Sequence, residues 1–520
     1  MSCLRLRTLA LGSLAAALAG PPAMPAQSFP PSFFNASNIA RGRELAPQYR
    51  GGCHQLPTPD ILDRETWTTG TMPWMMMVLG MEPRMLPPGR HGEMIRKSGG
   101  ILTAPLMPRE HWWPIVAYYL GSAPRALAGT NRVPELPMSE AFSTRRFLHA
   151  STTPMALLTQ FDRSAERLFI GDATARELVL QPTNGGGAET LATNIVPVAV
   201  HESEAGLWIT AAGSFNPTED RLGSVLFAPR AGHGFAPART ILTGLPRTTH
   251  TLPADLNGDD RQDLIVSMFG WYSGRLSWFE SLADGRHREH VLFEKPGTLR
   301  TETADLNDDG HLDIVALVAQ STESLLVFLG DGKGGFELRT PVQQHPSFGH
   351  SSFTILDYDL DGRPDLMTCN GDNGDYRSPI KPYHGIRLYR NEGDLKFVES
   401  LFLPMPGAFK AIPHDFDQDG DLDIAAISYY PDYTRQPTGS FILFRNDGGL
   451  RFTATTIADA EAGRWISMDA ADIDEDGDVD LALGSAIKGP GRKDYVPKEL
   501  TRRWASKRSS VLILENRSKH

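Results

Sequence analysis

Five short acidic segments carry most of the chemistry that the sequence offers. Each places Asp or Asn at positions 1, 3, 5 and 9 of a nine-residue stretch, as in DFDQDGDLD from Asp415. So many carboxylates repel one another unless a cation lies between them. Alternating oxygen ligands, with a backbone carbonyl at position 7, suit a hard cation of the size of Ca²⁺. The predicted ligands are Asp255, Asn257, Asp259, Asp263, Asp305, Asn307, Asp309, Asp313, Asp357, Asp359, Asp361, Asp365, Asp415, Asp417, Asp419, Asp423, Asp472, Asp474, Asp476 and Asp480.

Two alternatives to this assignment concern the same segments. An EF-hand is excluded, because position 12 never holds the bidentate Glu and a β-strand follows position 9 where an EF-hand needs a helix. The other alternative is a set of hairpin turns, rich in Asp and Gly, that are simply solvated. We therefore expect about five calcium sites, with the solvated turn as the competing interpretation.

The five acidic segments are spaced as an internal repeat. They begin at Asp255, Asp305, Asp357, Asp415 and Asp472, which lie 50, 52, 58 and 57 residues apart. Each is followed by a further apolar stretch that ends in a turn, as in SLLVFLGDGKGGF. About four strands in each repeat of this length are typical of the blades of a β-propeller.

Two weaker copies extend the repeat upstream. They begin at Arg167 and Gly206 and keep the strands and the glycine turn, but they lack the acidic segment. The sequence thus predicts seven blades, with six or eight as alternatives. The last blade ends near Leu514, so the segment around Phe147 is expected to supply its outer strand and close the ring, which removes free sheet edges.

The repeat resembles the FG-GAP/VCBS family, whose members include the propeller of integrin α-subunits. The resemblance extends over roughly residues 155 to 515 and depends mainly on the five acidic segments. It implies a mainly β protein in which calcium occupies the loop between the first and second strands of a blade, on one face of the propeller. The resemblance also implies that the calcium is structural and takes no part in catalysis.

Long loops between the second and third strands should open on the other face of the propeller. Loops on a rigid scaffold commonly carry function, and mixed aromatic and basic side chains suit sugars or anionic ligands. The alternative is that these loops pack on one another. A polar or basic residue also recurs five positions before each acidic segment, where it is expected at the mouth of the central channel: His250, Arg300, Ser352, Lys410 and Ser467. The predicted ligand residues are Tyr376, Lys381, Tyr383, His384, Tyr429, Tyr430 and Arg492.

The N-terminal region has a different character. Residues 36–125 show helical patterning, with a first helix that contains Gly42, then the motif RGGCH, and an aromatic last helix. This order resembles a small class I cytochrome c domain, although Arg50 replaces the first cysteine of Cys-x-x-Cys-His. The resemblance implies haem c held by one thioether bond from Cys53, with His54 as the proximal ligand.

The second axial ligand of such a haem is open between Met75 and Met107. The alternative is a haem-free helical domain, in which Cys53 is a free thiol that pairs with Cys369 or with a partner. The absence of one cysteine is therefore the main obstacle to the cytochrome interpretation.

The N-terminus predicts export. Arg5 and Arg7 precede an apolar run and a small-residue stretch, so residues 1–26 are expected to be a signal peptide, cleaved after Ala19 or Ala26, with an uncleaved anchor as the alternative. The predicted location is periplasmic or secreted. Beyond the signal, the predicted organisation is a helical domain at 36–125, a linker at 126–145 and a propeller at 146–520.

Composition narrows the functional classes. A formal net charge of −11 argues against nucleic-acid binding, and no segment after the signal is apolar for long enough to span a membrane. No nucleophile elbow, phosphate loop or HExxH motif is present. We expect an exported calcium-binding propeller that binds an unidentified protein or carbohydrate. The alternatives are an electron-transfer protein that docks a redox partner, and a carbohydrate-active enzyme.

Overall fold

The computed structural model describes residues 29–50, 55–82, 90–129, 135–164, 166–320, 322–374, 379–489 and 495–518. The predicted signal peptide lies outside these residues. Within them, no helix combines the length and the apolar character that a membrane span requires.

The first part of the chain is helical. Its α-helices are α1 (Ala36–Arg50), α2 (Arg64–Thr66), α3 (Met72–Val78), α4 (Arg90–Lys97) and α5 (Arg109–Ser122), with a π-helical turn at Trp67–Thr71. Helices α1 and α5 cross at Gly42, where a Cβ atom would lie 1.9 Å from the Pro114 carbonyl oxygen. Only glycine allows this approach. Buried aromatic and methionine side chains, among them Trp67 and Trp112, fill the core of this helical unit.

Seven antiparallel sheets follow, and they confirm the predicted seven-bladed propeller. Blade 1 contains β2 (Ala156–Phe161), β3 (Arg167–Asp172), β4 (Glu177–Pro182) and β5 (Glu189–Thr193). Blade 2 contains β6 (Pro197–Glu202), β7 (Gly206–Ala211), β8 (Gly223–Ala231), the short β9 (Gly234–Phe235) and β10 (Arg239–Leu245). Blade 3 contains β11 (Thr248–Ala254), β12 (Asp263–Met268), β13 (Arg275–Ser281) and β14 (His287–Phe293).

The remaining blades repeat the same order. Blade 4 contains β15 (Thr298–Ala304), β16 (Asp313–Val318), β17 (Ser324–Gly330) and β18 (Phe336–Gln343). Blade 5 contains β19 (His350–Leu356), β20 (Asp365–Asn370), β21 (Gly385–Asn391) and β22 (Phe397–Pro404). Blade 6 contains β23 (Ala408–His414), β24 (Asp423–Ser428), β25 (Phe441–Asn446) and β26 (Phe452–Thr455). Blade 7 contains β27 (Trp465–Ala471), β28 (Asp480–Ser485), β29 (Ser509–Asn516) and β1 (Phe142–Ala150), with α6 (Lys498–Lys507) before β29.

The core of the propeller lies between neighbouring blades. The second strands of blades 3 to 7 are buried along their whole length, which explains why their sequences are almost continuously apolar. Side chains of adjacent sheets interdigitate, as Ile265 and Leu276 of blade 3 do with Ile314 of blade 4. The first strands contact one another in a closed circle and therefore surround the axis of the ring.

Strand β1 closes the ring as the sequence predicted. It pairs antiparallel with β29, from Phe142 opposite Asn516 to Ala150 opposite Ser509. The first and last strands of the propeller therefore belong to one sheet. Their pairing closes the ring and leaves neither strand unpaired at the closure. Strand β1 begins at Phe142, inside the segment 126–145 that was predicted to be a linker.

Candidate cation-binding loops and the opposite face

The five acidic segments, called here the acidic loops, all occupy the same place in their blades. Each joins the first strand to the second. The carboxylate at position 1 accepts hydrogen bonds from the backbone of the same loop, as Asp255 does from the Asp260 N–H at 2.8 Å. The carboxylate at position 5 accepts one from position 7, as Asp419 does from the Asp421 N–H at 2.9 Å. These bonds fold each loop tightly around its acidic side chains.

The backbone of every acidic loop turns through the left-handed region at positions 4 and 6. At position 4 the φ angles range from 57° at Asp308 and Leu360 to 72° at Gly258. At position 6 four loops have glycine, whereas the loop of blade 3 has Asp260 with a φ of 63°. Two left-handed residues so close together reverse the chain sharply and bring the alternate side chains to one side.

Carboxylates converge in the three loops that contain four Asp residues. Three ligand oxygens of each group lie within 4.8 Å of one another, a spacing that suits a single cation. In the part of the chain that the structure describes, Asp417 and Asp472 each keep one buried Oδ1 atom without a hydrogen-bond partner. Such buried oxygens fit a hard cation. The converging groups are Asp357, Asp359 and Asp361; Asp415, Asp417 and Asp423; and Asp472, Asp474 and Asp476.

The two loops with Asn at position 3 relieve the repulsion in part by themselves. The Asn257 amide donates to Asp259 at 3.1 Å, and the Asn307 amide donates to Asp309 at 3.0 Å. Their carboxylates therefore have a neutral donor between them, which the three all-Asp loops lack.

The Asp at position 9 has a structural role that sequence reasoning did not identify. In all five loops this side chain is buried and joins its loop to the end of the third strand. Asp423, for example, accepts hydrogen bonds from the Phe416 N–H at 3.1 Å and the Asn446 N–H at 2.8 Å. The same pair of contacts recurs at Asp263, Asp313, Asp365 and Asp480.

Burial makes ionisation of these carboxyls unfavourable. It raises the pKa of Asp423 to about 6, and the nearby Asp417 carboxylate adds to the increase against the effect of the Asn446 N–H. Burial likewise raises the pKa of Asp480 to about 7, with a contribution from Asp474. A bound cation would offset both effects and favour the ionised form.

Arginine side chains already supply positive charge to three acidic loops. Arg261 pairs with Asp259 and Arg363 with Asp361, in each case from position 7 to position 5 of one loop. Arg145 reaches the loop of blade 7 from β1, where it pairs with Asp474 and lies 3.9 Å from Asp480. The strand that closes the ring therefore also contacts an acidic loop.

The loops on the opposite side of the ring, called here the loop face, bury most of the residues predicted to bind a ligand. Tyr376 and Arg492 lie outside the described residues. Lys381 and His384 are buried, and the Lys381 ammonium donates to the Ser347 carbonyl at 2.9 Å.

Tyr429 and Tyr430 are also buried in the loop face. The Arg464 guanidinium lies 3.6 Å from the centroid of the Tyr429 ring, and the Tyr429 hydroxyl donates to the Ala486 carbonyl at 3.1 Å. These aromatic side chains therefore pack within the protein, which is the arrangement that the competing interpretation of the loops describes.

Part of the loop face contacts the chain's own helical unit. The Tyr383 hydroxyl donates to the Ile61 carbonyl at 2.8 Å. Trp74 stacks on Tyr272 with ring centroids 6.0 Å apart, and Ile95 packs in the same apolar cluster. The loops of blades 3 and 5 thus hold a segment of the same protein.

An open cleft remains on the loop face at the junction of blades 7, 1 and 2. It has a volume of about 250 Å³. Met155 and Phe215 form apolar parts of its wall, and Arg176 and Lys488 supply two cationic side chains. None of the described residues that line this cleft is acidic, so it is a candidate for contact with an external ligand.

The predicted haem site is only partly within the described residues. Cys53 and His54 lie outside them. Met107 is buried in the core of the helical unit, and Met75 packs against the same core. Cys369 lies in β20, where burial raises the pKa of its thiol to about 12. Haem binding stays a prediction.

Comparison with known proteins identifies the repeat. Residues 255–316, 305–368 and 415–483 match the FG-GAP-like repeat, and together these matches include all five acidic loops. The chain therefore carries FG-GAP-like repeats in a seven-bladed propeller. No curated protein matches the chain.

Solved structures show only a distant likeness. Regucalcin, a calcium-binding protein from Agrobacterium tumefaciens str. C58, is 11% identical, with 71% of this chain and 94% of that chain covered and a TM-score of 0.36. BBS1N in complex with ARL6DN is 10% identical, with 73% and 98% covered and a TM-score of 0.44. Kuenenia stuttgartiensis hydrazine synthase is 12% identical, with 66% and 96% covered and a TM-score of 0.43. Likeness at this level carries no argument about function.

Proposed function

We propose that this protein is an exported calcium-binding β-propeller that acts as a binding or scaffold protein outside the cytoplasm. The observation that carries the proposal is the repeated geometry of the acidic loops. Five blades hold the same turn at the same place, and in three of them carboxylate oxygens converge within 4.8 Å. The FG-GAP-like match to these segments agrees with this assignment.

Calcium would serve to stabilise the fold. Extracellular calcium modules have dissociation constants of about 0.1 to 1 mM, so each site would contribute roughly 0.4 to 1.4 kcal/mol at about 1 mM calcium. The contribution arises because the cation offsets repulsion among carboxylates that the fold forces together. Five such sites would together supply a substantial part of the stability of an ordinary domain.

The binding role is supported by the arrangement of the loop face. A closed ring presents its loops from a rigid scaffold, which is a common arrangement for recognition. One part of this face already holds the helical unit through Tyr383 and Tyr272. The cleft that contains Arg176 and Lys488 remains open and suits a protein or carbohydrate ligand with acidic groups.

A calcium titration of the full chain tests the cation sites. Isothermal calorimetry on chelator-treated protein should give about five sites with dissociation constants of about 0.1 to 1 mM. A triple variant of one loop, Asp415→Asn, Asp417→Asn and Asp419→Asn, should remove one site and leave the others.

The matched control is Asp162→Asn, which changes a carboxylate at the equivalent turn of blade 1. We expect this variant to keep the stoichiometry of the unmodified protein. Absence of calcium binding at about 10 mM, well above the range expected for such modules, would refute the proposal. Equal loss of sites in both variants would also contradict it, because the sites would then not be local to the acidic loops.

A further inference from the structure

In five of the seven blades, the first strand carries a polar or basic residue at the same position relative to the second strand. Each of these residues pairs with the second strand of its blade immediately after a β-bulge in the first strand. The five pairs are His250 with Ser267, Arg300 with Leu317, Ser352 with Cys369, Lys410 with Ile427, and Ser467 with Gly484. We call this set the axial ring.

The axial ring faces the space at the centre of the propeller. The residue that follows each member is buried, as Thr301 and Ala411 are, and it points between the blades. Because side chains alternate along a strand, the members lie on the opposite face of their strand from these buried residues. His250 contacts Thr301 of blade 4, and Ser467 contacts Ala156 of blade 1. Arg300, Ser352 and Lys410 keep some exposed surface although they lie in the innermost strands, so they line an internal space.

Two acidic residues lie near the axial ring, and one of them pairs with Arg300. Glu302 accepts from the Arg300 guanidinium at 3.1 Å and from the Ile355 N–H at 3.2 Å. Asp469 accepts from the Phe161 N–H at 2.8 Å. These contacts fix both carboxylates to the wall of the channel.

Lys410 stands out among the axial residues. In the ranges that the structure describes, its ammonium group has neither a hydrogen bond nor an ion pair within 4 Å. Burial lowers the pKa of Lys410, and Asp469 acts in the opposite direction. Three N–H donors without a protein acceptor are costly at the centre of a fold unless a ligand or water accepts from them.

Cationic and acidic side chains both contribute to the electrostatic environment at this height, since Asp469 and Glu302 act on Lys410 against the effect of Arg300. Burial lowers the pKa of His250, and Arg300, His201 and Lys410 lower it further. His250 and Lys410 belong to blades 3 and 6, so charged groups act on one another across the channel. Lys410, Arg300 and the Ser352 hydroxyl can offer hydrogen-bond donors to the channel, whereas the Ser467 hydroxyl donates to the Ala156 carbonyl at 3.1 Å.

We propose that the axial channel binds a small anion, a carboxylate or an oxyanion such as phosphate, between Lys410 and Arg300 with the Ser352 hydroxyl as a third donor. These residues come from blades 4, 5 and 6, which are consecutive in the ring, so they form one arc around the channel. None of them belongs to an acidic loop. The site is therefore independent of the proposed calcium sites.

Calorimetric titration of the full chain with inorganic phosphate and with succinate tests this site, with ionic strength held constant by NaCl. We expect one of the two probes to bind with a stoichiometry near one. Lys410→Met keeps the aliphatic stem and removes the charge, so it should weaken the affinity at least about tenfold. Ser352→Ala should weaken it by a smaller factor.

The control is Lys396→Met, because Lys396 is an exposed lysine that pairs with Glu392 far from the axis. It should bind the probe as the unmodified protein does. The inference fails if neither probe binds, or if all three variants bind equally. If Lys410→Met does not fold, the affinity of Ser352→Ala for the probe tests the proposal, since this variant removes only a single hydroxyl. Unchanged affinity in Ser352→Ala would then overturn the proposal.

Discussion

Blades 1 and 2 join their first and second strands by turns that satisfy their own polar groups, whereas blades 3 to 7 use acidic loops. In blade 1, Asp162 accepts from Arg167 at 2.8 Å and from the Ser164 hydroxyl at 2.8 Å. In blade 2, Ser203 and Gly206 exchange two backbone hydrogen bonds. Neither turn leaves a group of carboxylates that needs a cation.

The same sheet architecture therefore tolerates two kinds of turn. The strands and the packing between blades are alike in both regions. The difference lies in which groups neutralise the charge of the turn between the first and second strands. In blades 1 and 2 the neutralising groups belong to the chain, and in blades 3 to 7 we propose that a bound cation supplies much of the positive charge. Blades 3, 5 and 7 are intermediate, because Arg261, Arg363 and Arg145 each contribute a charge to the acidic loop of their blade.

Removal of calcium should give the largest difference in stability between blades 1 and 2 and blades 3 to 7. With a chelator, the free energy of unfolding should fall by roughly 2 to 7 kcal/mol, the sum over five sites with the affinities expected for such modules. Hydrogen exchange should accelerate in the five acidic loops and stay unchanged in the turn at 162–167. A uniform acceleration of hydrogen exchange over all seven blades would contradict the proposal that only blades 3 to 7 depend on a bound cation.

The carboxylate at position 9 should matter with or without calcium. Asp423→Asn places an amide N–H₂ against one of two backbone N–H groups, and we expect a loss of about 1 to 3 kcal/mol in urea denaturation. Asp419→Asn is the matched control within the same loop. Its effect should disappear in chelator, whereas that of Asp423→Asn should persist, because only the latter breaks buried hydrogen bonds.

When a chelator is present, protonation of buried carboxylates should recover part of the stability that calcium would otherwise provide. The pKa values of Asp423 and Asp480, about 6 and about 7, lie above the value of about 3.9 expected in the unfolded chain. The folded state then binds more protons than the unfolded state, so stability falls as pH rises from about 4 to 7. Chelated protein should gain roughly 2 to 4 kcal/mol when the pH is lowered from about 7.5 to about 5.

In calcium the pH dependence should reverse, because acid displaces the cation from its carboxylates. Urea denaturation at both pH values, with and without chelator, measures this. An unchanged slope in the two conditions would show that the acidic loops do not hold the cation.

The spacing of Asp residues predicted the place of the loops, and the weak copies at Arg167 and Gly206 predicted the number of blades. These features are local or periodic, so a single sequence contains them. The role of position 9 was missed because its partner is distant, as Asn516 is from Asp480. The burial of Tyr429 depends on Arg464 in the next blade.

The contact between Trp74 and Tyr272 could not be predicted either. It joins two regions with different folds, and such a contact follows no period in the sequence. The sequence therefore leaves open whether the long aromatic loops bind a ligand or pack on one another, and it does not indicate that the helical unit occupies part of their surface.

The smallest predicted effects concern the backbone of the acidic loops and should not depend on calcium. Asp260 occupies position 6 with a φ of 63°, where the other four loops have glycine, so Asp260→Gly should stabilise the protein by about 0.5 kcal/mol. Leu360, at position 4, has a φ of 57° and is 84% exposed. Leu360→Gly should gain more, about 1 kcal/mol.

The order of these two gains follows from side-chain chemistry. Aspartate tolerates the left-handed region because its short polar side chain bonds locally, whereas leucine has no such compensation. Thermal denaturation in chelator and in calcium should give the same gain for each variant, since the backbone term is unrelated to charge. A larger gain for Asp260→Gly, confined to chelator, would mean instead that charge repulsion dominates at position 6, as it does at the ligand positions of these blades.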